Sequence, residues 1–181
     1  FFVTALMKLP ESMNTIYFVG MTALSLVFYM PINSLTKKMG KKNMVIMAFA
    51  LFFITFAFTS LTGEAIPLPA TIQGFIIMIL GSFPMAIFGI LPQAMVADIA
   101  EFDGKQTGEN RQGMFFATRT FCFKLGQSLA MLLFTSISTL RTLAGETTVF
   151  GVRMVAVIAA VLCVVGGVIL LFYNEKKLSN N

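Results

Sequence analysis

Thr120, Lys124, Gln127 and Ser128 fall at i, i+4, i+7 and i+8, which places them on one face of a helix. Thr135 continues that face, while Cys122, Leu129 and Leu133 lie elsewhere. An ammonium group set among hydroxyl and amide side chains supplies charged donors beside groups that both donate and accept. Such a set suits a hydroxyl-bearing ligand or a file of water. The same residue types also serve hydrogen bonding between helices, which stabilises a bundle without any chemistry. A second cation, Arg119, precedes Thr120, and Phe115, Phe116, Phe121 and Phe123 surround both charges.

Just upstream stand three acids, Asp98, Glu101 and Asp103, spread over about a turn and a half of helix. They open a polar, glycine-containing hairpin expected over 98–112, which also carries Arg111. Acids and a base at the mouth of a hairpin can form ion pairs that make and break as helices move. They can equally be a solvated loop, because exposed pairs hold little energy.

What surrounds these residues decides how to read them. Of 181 residues, 57% are hydrophobic and only 12% charged, with a mean hydropathy of +0.85. Those values imply an all-α polytopic membrane helical bundle. The apolar runs are continuous rather than alternating, which argues against a β-barrel. A net charge of +5 would fit nucleic acid, but the basic residues cluster at the ends of apolar runs, where membrane orientation explains them, so no nucleic-acid partner is expected. Cys122 and Cys163 fall in separate apolar runs and read as packing residues. There is no His, no metal-ligand spacing and no nucleophile beside a base, so neither an enzyme nor a metal site is expected.

Within a membrane, Lys124 becomes costly. A charge at depth costs a few kcal/mol at least and turns toward the bundle interior or water. Lys124 stands roughly 15 Å along its span, too far for its side chain to reach the nearer interface. It either meets a ligand or is neutralised by a carboxylate on a neighbouring helix. Arg119 lies closer to the surface, and snorkelling and a ligand contact are both open to it.

Five complete spans are expected, over about 13–35, 44–61, 71–97, 114–140 and 150–173. Pro31 is expected to kink the first. The third, with Gly81, Pro84, Gly89 and Pro92, is expected to lie bent against the bundle centre, where neighbours satisfy the freed carbonyls. Gly166-Gly167 reads as a close-packing pair. The chain opens without Met inside an apolar piece, FFVTALM, so residues 1–7 are expected to be the tail of a truncated span. Lys37, Lys38, Lys41, Lys42, Lys105, Arg111, Lys176 and Lys177 fall on one side of this topology. Lys8, Arg141 and Arg153 fall on the other, which puts the hairpin and the C-terminus in the cytoplasm, in the cell membrane.

The segment MVADIAEFDGKQTGENRQGMFFATRTFCFKLGQSLA resembles the region around the tenth and eleventh helices of the glycoside–pentoside–hexuronide:cation symporters. This is the melibiose-permease family of the major facilitator superfamily. The similarity rests on Ala97-Asp98-Ile99, Phe102-Asp103, the loop Thr107 to Gly113, and Lys124-Leu125-Gly126. The turn Leu35 to Lys42 is similar to the superfamily's cytoplasmic loop motif and keeps its Gly40-Lys41-Lys42 end. It departs from that motif at Lys37, where an aspartate is usual, and at Asn33, where a glycine is usual.

The resemblance implies the C-terminal six-helix half of a twelve-helix transporter, with its first helix truncated. The N-terminal half of the same protein would be its partner. It implies cation-coupled symport of a sugar or glycoside by alternating access, with Na⁺ or H⁺ as the coupling cation and no other cofactor. The cation-binding acids would lie in the other half. The family's coupling lysine falls on Lys124 and its sugar-facing threonine on Thr120, and Gln127 and Ser128 share that face. Asp98, Glu101, Asp103 and Arg111 would make the gating contacts. Arg119 stands where the melibiose permease has glutamine, and its fork of donors suits a carboxylate or sulfate, as on a uronide. Two other readings compete: a lysolipid-type carrier, and a membrane scaffold or receptor that would leave Lys124 unexplained.

Overall fold

The computed structural model describes residues 2–62, 67–139 and 149–173. A five-residue π-helical turn, Phe2–Leu6, precedes five helices: α1 Glu11–Met39, α2 Lys41–Leu61, α3 Ala70–Thr107, α4 Gln112–Ser138 and α5 Val149–Leu171. All five are long and apolar enough to cross a membrane. Hydrocarbon offers no partner to backbone N–H and C=O groups, so sequence this apolar folds into helices that satisfy their own. Leu140, the turn Arg141 to Glu146, Glu64 and the tail carrying Lys176 and Lys177 lie outside the described residues.

The helix ends follow local chemistry. Gly40 alone separates α1 from α2, at a φ of 83° that other residues rarely adopt, and its N–H bonds the Thr36 carbonyl at 2.9 Å. Lys37 and Lys38 occupy the last turn of α1, where cations meet the negative end of the helix dipole. α1 runs through Pro31 as a single helix, longer at both ends than the expected 13–35.

The largest difference from expectation is in α3. It does not stop at the acids but continues past Asp98, Glu101 and Asp103 to Thr107, where Gly108 ends it in a left-handed cap with φ 72°. The hairpin is therefore only Gly108 to Arg111. Polarity marks where the membrane ends, and the helix needs no membrane to go on.

The core gathers Ile32 from α1, Met44, Val45 and Ala48 from α2, and Ala86, Ile87, Leu91 and Met95 from α3. Phe28 meets Phe83 edge-on at 5.3 Å, and Phe49 meets Phe88 at 4.8 Å. α3 packs against α1, α2 and α4, and α2 also packs against α5. The α1–α3 seam is set by small residues on α3, with Gly74 against Tyr17, Gly81 against Met21 and Gly89 against Tyr29. Gly166 likewise lets α5 approach the Phe49 ring, where a side chain would meet it at 2.6 Å. α4 is different: Ser138 is the only buried residue along its length. It touches α3 and α5 but exposes nearly every other side chain.

Candidate functional site

The long exposed helix α4 carries the polar face read from the sequence. A groove of about 780 Å³ runs between α4 and α5. Lys124, Gln127 and Ser128 line it together with Met131, Phe134, Val155, Ile158 and Leu162. One end of the groove therefore presents an ammonium, an amide and a hydroxyl, and the remainder is apolar.

The hydroxyl groups of this face spend their protons on their own helix. Thr120 donates to the Phe116 carbonyl at 2.8 Å, Ser128 to Lys124 at 3.0 Å and Thr135 to Met131 at 3.0 Å. Each oxygen keeps acceptor capacity for a ligand donor. The Lys124 ammonium and the Gln127 amide make no hydrogen bond or ion pair among the described residues, and both side chains are exposed. No carboxylate among those residues neutralises Lys124.

Thr120 and Arg119 lie outside the groove lining. Arg119 is half-buried, with its guanidinium 5.9 Å from the Phe123 ring centre, a cation–π contact one turn along the helix. The structure thus brings together three of the five residues expected at the site, Lys124, Gln127 and Ser128, and sets Thr120 and Arg119 to one side.

The charges at the hairpin end each find a separate partner. Lys41 Nζ reaches both carboxylate oxygens of Asp98, at 2.8 and 2.6 Å. Glu101 pairs with Lys105 one turn on, at 3.1 Å. Arg111 places Nε and Nη2 at 2.7 and 2.6 Å from the same Glu109 oxygen, within the turn. Asp103 accepts the Thr107 hydroxyl on its backbone carbonyl at 2.8 Å, while its buried Oδ2 has no hydrogen-bond partner among the described residues. The four charges expected to gate the hairpin are therefore not gathered into one network.

Sequence reasoning missed Lys41 and Lys42 as structural anchors. Neighbours on a helix point about 100° apart, so the two lysines at the start of α2 reach different helices. Lys41 goes to Asp98 of α3, and Lys42 donates to the Leu171 carbonyl at 2.7 Å, at the negative end of α5. The retained Gly40-Lys41-Lys42 end of the loop motif was the signal that could have found them. At the other end of the bundle, Arg153 Nη2 lies 3.4 Å from the Thr62 carbonyl that ends α2.

Five long apolar helices, an exposed lysine in the fourth and glycine-lined seams are what a bundle of membrane carriers would show. The chain matches the family described as MFS/sugar transport protein over residues 1–176. It belongs to the MFS/sugar transport protein family. Membership of this family agrees with the all-helical membrane fold and supports a sugar transporter in general, rather than an enzyme. No curated protein and no solved structure matches the chain with significance.

Proposed function

We propose that the chain is the C-terminal half of a secondary transporter that moves a sugar or glycoside together with Na⁺ or H⁺ by alternating access. The observation that carries this reading is Lys124, a cation on a helix apolar enough to cross a membrane, with no carboxylate partner among the described residues, at the polar end of the α4–α5 groove. A charge so placed requires water, a ligand or an acid from elsewhere in the protein. In a two-half carrier, substrate and coupling ion sit where the halves meet, and Lys124 would pair there with an acid of the N-terminal half or with substrate. Gln127 and Ser128 would bond hydroxyls, with Thr120 at the edge and Arg119 reserved for an acidic group. The hairpin end and the C-terminus would face the cytoplasm of the cell membrane. Asp98, Glu101, Asp103 and Arg111 would exchange their local partners for the other half as the halves rock.

The apolar remainder of the groove, from Met131 through Phe134 to Leu162, favours a second reading, a carrier of lysolipids. Vesicles containing the full-length protein separate the two. Uptake of radiolabelled methyl galactoside or glucuronide that rises under an imposed Na⁺ or proton gradient supports sugar symport. Uptake of a labelled lysophospholipid instead supports the lipid carrier, and no uptake of any of them refutes both.

A further inference from the structure

Away from the α4–α5 groove, the polar side chains that α1 and α3 expose in their spanning segments include Tyr29, Asn33 and Gln93. None of these three makes a side-chain hydrogen bond among the described residues. The α1–α3 seam fixes their relative level. Tyr17 lies against Gly74, Met21 against Gly81 and Tyr29 against Gly89, where a side chain would meet the Tyr29 hydroxyl at 3.0 Å. Both helices run the same way, so Asn33, one turn beyond Tyr29, is level with Gln93, one turn beyond Gly89. The short turn Gly108 to Arg111 then relates α3 to α4, which runs back beside it. Gln93 is about 21 Å from the end of α3, and Lys124 about 18 Å from the start of α4. Tyr29, Asn33, Gln93 and Lys124 thus fall within about one turn of a single depth.

We propose that Tyr29, Asn33 and Gln93 form a second, wholly uncharged wall of the ligand site, which binds hydroxyl groups of a sugar. The inference rests on the sugar-transport reading above and adds residues to it. Each of the three groups is neutral and both donates and accepts, and a sugar hydroxyl requires that pairing. Lipid tails offer neither, and an amide left unpaired in hydrocarbon costs several kcal/mol. The charge stays on α4, where Lys124 and Arg119 read charge, and α1 and α3 add to the hydroxyl contacts of Gln127 and Ser128.

The test is equilibrium binding of p-nitrophenyl galactoside and its four monodeoxy analogues to the full-length protein, wild type and Gln93→Leu. Wild type should lose about five- to tenfold in affinity when one particular hydroxyl is removed. Gln93→Leu should bind the parent galactoside more weakly by about that factor and be indifferent to that same deletion. Gln93→Asn, which keeps the amide, serves if the leucine variant does not fold, and should show a reduced response at the same hydroxyl. Tyr29→Phe and Asn33→Leu should each blunt the response to a hydroxyl. Equal deoxy profiles in wild type and all folded variants would overturn the proposal. Failure of the wild type to bind either the galactoside or the corresponding glucuronide would instead refute the sugar reading on which it rests.

Discussion

Lys41 and Asp98, 57 positions apart in the chain, meet through both carboxylate oxygens at 2.6 and 2.8 Å and tie the start of α2 to the membrane exit of α3. Their side chains are 28% and 38% exposed, so water screens the pair and its contribution stays near that of a surface bridge. Lys41→Ala should therefore destabilise the full-length protein by only about 0.5–1 kcal/mol, read as thermal unfolding in detergent. The charge-reversed pair, Lys41→Asp with Asp98→Lys, should recover part of what either reversal alone loses. Additive losses in the double variant would show that the two charges do not couple.

Glycine substitutions should divide sharply by position. A side chain at Gly74 would enter the Tyr17 ring, and one at Gly166 would enter the Phe49 ring. Gly74→Ala and Gly166→Ala should each cost about 1–3 kcal/mol through overpacking. At Gly126 a Cβ meets nothing within 4 Å. Gly126→Ala should be neutral or stabilising by up to about 1 kcal/mol, because alanine is the better helix former. Thermal unfolding of the three variants side by side is the measurement, and equal effects would contradict the packing described.

Lys124 and Arg119 should separate by substrate charge. Lys124→Gln should depress binding of a neutral galactoside and an acidic glucuronide alike, because it removes the charge at the polar end of the groove. Arg119→Gln should weaken the glucuronide about ten- to a hundredfold, the loss of a charged hydrogen bond, while sparing the galactoside. The quantity to follow is the ratio of the two affinities. If Arg119→Gln leaves it unchanged, Arg119 serves only its contact with Phe123.

Orientation can be read at Lys105, which is exposed at the hairpin end of α3. In a cysteine-free background, Lys105→Cys should resist a membrane-impermeant maleimide added outside intact cells and react after permeabilisation. Ready labelling from outside would invert the topology inferred from the lysine and arginine bias.

The spans were legible because hydrophobic length is a direct physical requirement of the bilayer, and Gly166 could be read as a packing residue for a similar reason. The third helix was harder. Its run of Asp98, Glu101 and Asp103 looked like the start of a turn, but solvated acids are compatible with a helix, and only Gly108 supplies the conformation that ends one. The partners of those acids were not legible. Glu101 and Arg111 settle on the nearby Lys105 and Glu109, and Asp98 on a lysine far away in sequence. A list of charges does not say which of several cations lies closest in three dimensions. Helical spacing put Lys124, Gln127 and Ser128 on one face, and all three line one groove, which also takes in Leu133 and leaves out Thr135. It gave no warning that Thr120 and Arg119 stand outside it, because that depends on where α5 packs.

The unbroken run of α3 from Ala70 to Thr107 makes it a lever. At 1.5 Å per residue it is about 57 Å long, well beyond the roughly 30 Å of a bilayer core. A tilt of about ten degrees around its middle would swing the hairpin end by roughly 5 Å, with no change in the backbone hydrogen bonds of the helix itself. A spin label at Lys105 would report that swing at an amplified scale, so the hairpin is the place from which to watch the helix lean.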